Sequence, residues 1–145
     1  SDVIQSSINS PDPGDSIPSI MDGLLDARRQ LEQLLDSVDS IQEALGESSI
    51  EDVRPRLREL MQRLLGGTRT IVEIAETMPG AVGLEVETAQ KVLSEQLLEF
   101  RRAMGSGSTD TIQQSLRSDL AMSAGNWMGL VEILIDHART MREDA

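Results

Sequence analysis

Apolar residues recur along the first third of the chain at alternating steps of four and three. Between residues 20 and 45 this series consists of Ile20, Leu24, Ala27, Leu31, Leu34, Val38, Ile41 and Leu45. In an α-helix this spacing places every member of the series on one side, as a narrow apolar stripe. A second helix must cover such a stripe to stabilise it, so the pattern predicts helices packed against one another.

The same spacing returns in three later segments. The second series consists of Ile50, Val53, Leu57, Leu60, Leu64, Gly67, Ile71, Ile74 and Met78. The third consists of Val86, Ala89, Leu93, Leu97, Phe100 and Met104. The fourth consists of Ile112, Leu116, Leu120, Ser123, Trp127, Leu130, Leu134, Ala138 and Met141. The four series therefore predict four helices.

Residues with known preferences for helix ends set the predicted boundaries. Ser19 and Asp22 have the spacing of a capping pair at the start of the first helix, and Gly46 is a typical stop. Pro55 is tolerated only in the first turn of a helix, so the second helix must begin shortly before it. Thr109 is a suitable cap for the fourth helix.

Four helices joined by short connections favour antiparallel neighbours, so the predicted fold is all-α, an antiparallel four-helix bundle with up-down-up-down order. The alternative is a helical hairpin that completes its bundle by forming a homodimer. Residues 1–15 are rich in serine, proline and aspartate, which predicts a flexible tail or linker before a bundle domain of residues 16–145.

Composition narrows the expected partners. Asp and Glu number 25 against 13 Lys and Arg, a formal net charge of −12, which repels phosphate backbones and argues against nucleic acid. The uncharged run from Leu120 to Val131 is too short for a membrane span. We therefore expect a protein partner or a homodimer. The expected location is the cytoplasm, although the absence of cysteine fits a reducing and an oxidising compartment alike.

Candidate chemistry is sparse. The chain has no cysteine and one histidine, so it offers no thiolate nucleophile, no cysteine metal site and no second imidazole for a metal centre. Leu134 stands three residues before His137, where a di-iron bundle requires glutamate. These patterns predict a non-enzymatic protein without a metal or cofactor.

His137 carries the alternative function. A histidine on a helix of a four-helix bundle, with Asp136 before it and Arg139 after it, resembles the phosphoacceptor of histidine phosphotransfer domains. That resemblance implies a signalling bundle in which His137 accepts a phosphoryl group. The chain departs from the motif at Thr140 and Met141, where those domains place lysine and glycine.

The fourth helix also contains an unusual segment, Gly125, Asn126, Trp127, Met128 and Gly129. Glycine inside a helix costs about 1 kcal/mol relative to alanine, so the two glycines require a compensating role. Either they allow a neighbouring helix to approach and leave room for Trp127, or they line a groove in which a partner helix binds. The inward position of Trp127 favours the packing role.

The leading functional prediction is accordingly a non-catalytic helical-bundle module that binds another protein through a helix-binding groove or by self-association. Histidine phosphotransfer through His137 is the alternative.

Overall fold

The computed structural model describes residues 13–78, 80 and 83–144, and within them the chain forms four helices and no strand. Helices α1, α2 and α3 span Pro13–Glu47, Ile50–Thr77 and Gly83–Gly105. Helix α4 has three consecutive parts: α-helical Thr109–Ser115, π-helical Leu116–Ala121 and α-helical Met122–Asp144. The all-α prediction is confirmed.

The predicted stripes form the hydrophobic core. In α1 every stripe residue from Leu24 to Leu45 is buried, and Ile20 is half-buried. In α2 the stripe is buried from Val53 to Ile71. Aliphatic side chains fill most of this core. Its largest fully buried members are the two aromatic residues, Phe100 and Trp127.

Helix α1 packs most extensively against α2 and against the last part of α4. Three contacts show the relative direction of α1 and α2. Arg56 Nη2 donates to Ser40 Oγ at 2.9 Å. Further along, Gly67 faces Leu31, and Gly23 faces Ile74. Residue numbers rise along one helix as they fall along the other. Helices α1 and α2 therefore run in opposite directions.

Two polar contacts show that α1 and α4 also run in opposite directions. Gln42 Nε2 donates to the carbonyl of Gln113 at 2.9 Å, and Gln113 Nε2 returns a bond to the carbonyl of Gln42 at 3.1 Å. Arg28 Nη1 donates to Glu132 Oε1 at 2.8 Å. This hydrogen bond raises the pKa of the Arg28 guanidinium, a group that is cationic at ordinary pH even without it.

The helix ends differ from the sequence prediction at two caps. Helix α1 is already formed at Pro13, so Ser19 and Asp22 lie inside it and the predicted capping pair is wrong. A proline start is physically favourable because its fixed φ suits the first turn and its missing N–H needs no partner there. Ser108, not Thr109, caps α4 and accepts from the backbone N–H of Thr111 at 3.3 Å.

The predicted end of α1 and start of α2 agree closely with the structure, but Pro55 is the sixth residue of α2 and lies beyond the predicted first turn, where its missing N–H costs the helix one backbone hydrogen bond. Ser49 caps α2 and accepts from the backbone N–H of Asp52 at 3.3 Å, which places Pro55 near the helix start. Residues 1–12 of the predicted tail lie outside the described residues, and its last three residues belong to α1. None of the described helices is both long enough and apolar enough to cross a membrane.

Candidate functional site

An apolar groove of about 420 Å³ lies between α3 and the last part of α4. Residues from both helices line it: Glu85, Thr88, Ala89, Val92 and Gln96 from α3, and Asn126, Trp127 and Leu130 from α4. Its volume is within the range of ligand and peptide-anchor pockets, roughly 300 to 1,000 Å³. The lining of the groove is mostly apolar.

The groove exists because α3 packs unevenly along α4. Helix α3 packs more extensively against residues 109–121 than against Met122–Asp144, although that last part is the longer one. Ser123 Oγ donates to Gln96 Oε1 and joins the two helices at one end of the groove. Beyond this bond, towards Glu85, the small side chain of Ala89 leaves space beside Leu130.

The floor and the rim of the groove differ in polarity. Trp127 is 1% exposed and Leu130 is 8% exposed, so both form the floor, while Ala89 is half-buried. Val92 is 37% exposed and contributes an apolar group to the rim. Polar lining groups come from Thr88, Gln96, Asn126 and Glu85, and Glu85 is the only charged residue among the lining residues.

Two of the five residues predicted from the glycine segment line the groove, Asn126 and Trp127. Met128 is half-buried and packs against the core, whereas Gly125 and Gly129 are exposed. Because successive residues of a helix diverge by about 100°, the five cannot share one face. Asn126 and Trp127 therefore lie at the groove, and the two glycines lie outside its lining.

The predicted packing role of Gly125 and Gly129 is wrong. A Cβ atom built at either position meets nothing within 4 Å, so no neighbouring helix approaches there. Close approach occurs instead between α1 and α2, where a Cβ at Gly67 would lie 3.4 Å from Leu31 Cδ2. Trp127 is fully buried although neither glycine admits a neighbouring helix.

Comparisons with known proteins identify no family for this chain. No protein-family model matches the chain, and no curated protein and no solved structure matches it significantly.

His137 is half-buried on α4, and the ion pair beside it joins Arg139 and Asp136 at 3.7 Å. It is not among the residues that line the groove. Phosphotransfer through His137 stays a prediction. Within the described ranges, no group of three or more carboxylate or histidine side chains has the arrangement of a metal site.

A second, more polar cavity of about 390 Å³ lies where α3 ends and α4 begins. Ser115 is buried there and donates its hydroxyl to Asp119 across the start of the π-helical stretch. Glu99 and Arg102, which pair with each other at 2.7 Å, also line it. Its polar groups are thus largely satisfied by one another, so it offers a ligand less than the apolar groove does.

Sequence reasoning missed most of the α3 side of the groove. The third apolar series predicts an inward position for Ala89, but Val92 lies off the stripe, and Thr88 and Gln96 carry no motif. The one signal available was the alanine itself, a small residue between Val86 and Leu93 on an otherwise bulky stripe. Placing it opposite Leu130 required the register of α3 on α4, which the pattern does not supply.

Proposed function

We propose that this protein is a non-catalytic interaction module that binds another protein in the groove between α3 and α4. The observation that carries the proposal is the groove itself, with a buried tryptophan and leucine as its floor and polar groups at its rim. A buried apolar centre surrounded by polar groups is the usual anatomy of a protein-binding surface.

The chemistry of the lining supports binding rather than catalysis. The groove holds one carboxylate, from Glu85, together with two amides and one hydroxyl, and these groups supply hydrogen bonds without forming a nucleophile and base pair. The net charge of −12 favours a protein partner over nucleic acid. Binding to a second copy of the chain is the other form that an interaction through this groove can take.

A groove-filling substitution tests the proposal. Ala89→Phe places a ring in the space beside Leu130, and Gln90→Phe is the matched control because Gln90 is exposed and lies outside the groove lining. Tagged wild-type protein and both variants are incubated with a lysate of the source cells, and captured proteins are quantified by mass spectrometry. Circular dichroism and thermal melting confirm that both variants remain folded.

We expect at least one protein to be captured by the wild type and by Gln90→Phe, and to be lost with Ala89→Phe. Capture of the same proteins by all three would contradict binding in the groove. Sedimentation of the purified protein separates self-association from a foreign partner, since a homodimer through the groove dissociates on Ala89→Phe without any lysate.

A further inference from the structure

The groove follows one face of α3 over about three helical turns. Its α3 lining residues run from Glu85 to Gln96, with the adjacent pair Thr88 and Ala89 one turn from Glu85 and the later residues at steps of three and four, which keeps them on one side of the helix. At 1.5 Å per residue this span is about 16 Å long. A groove of that length between two helices matches the side of a third helix of about three turns.

The two ends of the groove differ in charge. Glu85 stands at one end, exposed and not paired in any ion pair found within the described residues. The other end carries the neutral amides of Gln96 and Asn126, and Gln96 is held by Ser123. The apolar residues Ala89, Val92, Trp127 and Leu130 lie between these ends. A complementary ligand therefore has an apolar middle and a cationic group at one end only.

We infer that the groove binds a basic amphipathic helix, with apolar residues at i, i+4 and i+7 against Ala89, Trp127 and Leu130, and a lysine or arginine beside Glu85. This inference rests on the proposed function and specifies its partner. The overall charge of the chain supports it, because a surface of net charge −12 attracts a basic segment to the whole molecule as well as to Glu85. A second copy of the chain would bring the same negative charge to the groove and is the less favourable occupant.

Three synthetic peptides of about 16 residues, each labelled with a fluorophore, serve as probes. The first has leucines at i, i+4 and i+7 and lysines at one end. The second has the same composition with the leucines dispersed around the helix, and the third has glutamates in place of the lysines. Fluorescence anisotropy measures binding, because Trp127 is already buried and its emission is a weak reporter.

We expect the first peptide to bind in a saturable manner and the other two to bind more than tenfold more weakly. Glu85→Lys should weaken the first peptide roughly fivefold, a typical effect for one exposed charge pair. Glu87→Lys is the matched control, since it makes the same charge change on the same turn of α3 outside the groove lining. Ala89→Phe should abolish binding, with the fold checked by circular dichroism.

Three alternative results would each overturn a different part of the inference. Equal effects of Glu85→Lys and Glu87→Lys would overturn the pairing with Glu85 and leave only general attraction between opposite charges. Equal binding of the lysine and glutamate peptides, lost on Ala89→Phe, would overturn the basic partner while the groove remained a helix-binding site. If no peptide binds while the lysate partner is still lost on Ala89→Phe, the helical occupant is wrong and the interaction module stands.

Discussion

Gly67 and Gly125 have opposite environments although both lie inside long helices. Gly67 is buried where α2 meets α1, and a side chain there would meet Leu31 and the backbone of Ala27. Gly125 is exposed on α4 with open space around its Cα atom. The same residue type therefore permits close packing in one helix and has no packing role in the other, which sequence spacing alone does not distinguish.

Leucine substitutions at these two glycines test the difference directly. Gly125→Leu should raise the free energy of unfolding by about 0.5 to 1 kcal/mol, because leucine has the better helix propensity and the position has room. Gly67→Leu should lower it by about 1 to 3 kcal/mol through overpacking against Leu31. Urea denaturation measures both, and equal destabilisation by the two substitutions would show that α4 is packed more closely than described.

At the scale of single helices, the stripes of α1 and α2 could be predicted, because nearly all of the buried side chains of each helix lie on one narrow stripe. Helix α4 is buried over a wider arc: besides the predicted stripe, the neighbouring residues Ala124, Val131 and Ile135 are also buried. The fourth series of apolar residues predicted one edge of that arc. The wider arc depends on α1 and α3 both contacting α4, which a single stripe does not reveal.

The π-helical stretch Leu116–Ala121 also could not be predicted from the sequence. A π turn accommodates one more residue than the α-helical turn it replaces, and no residue type marks its position reliably. Both Leu116 and Leu120 remain buried across it, so the stretch keeps the core stripe continuous. Its sequence looks like ordinary amphipathic helix for this reason.

Deletion of a single residue tests the π-helical stretch. Removing the exposed Ser118 should let the stretch close into a regular α-helix, so the core residues on either side keep their faces. Removing the exposed Gly129 from the α-helical part should instead rotate everything after it by about 100° and expose Leu134. Thermal melting should show the larger loss for the Gly129 deletion, and the reverse order would refute the π-helical assignment.

At the scale of the whole molecule, uneven packing of the four helices accounts for the candidate site. Helix α1 is covered on both sides by α2 and α4, whereas α3 contacts α2 sparsely and the last part of α4 incompletely. The sequence predicted the helices that make this arrangement and two groove residues, Asn126 and Trp127. The separation between α3 and α4 arises from tertiary packing, so the groove could not be predicted from periodicity.

Site-specific photo-crosslinking shows whether the partner lies in the groove between α3 and α4. A photoreactive amino acid replaces Val92 at the groove rim or, as a matched control, Leu98, an exposed apolar residue of the same helix outside the groove lining. After irradiation in a lysate of the source cells, we expect a crosslinked partner from position 92, lost when Ala89→Phe is added, and none from position 98. Equal crosslinking from both positions, or a position 92 product that persists with Ala89→Phe, would contradict binding of the partner in the groove.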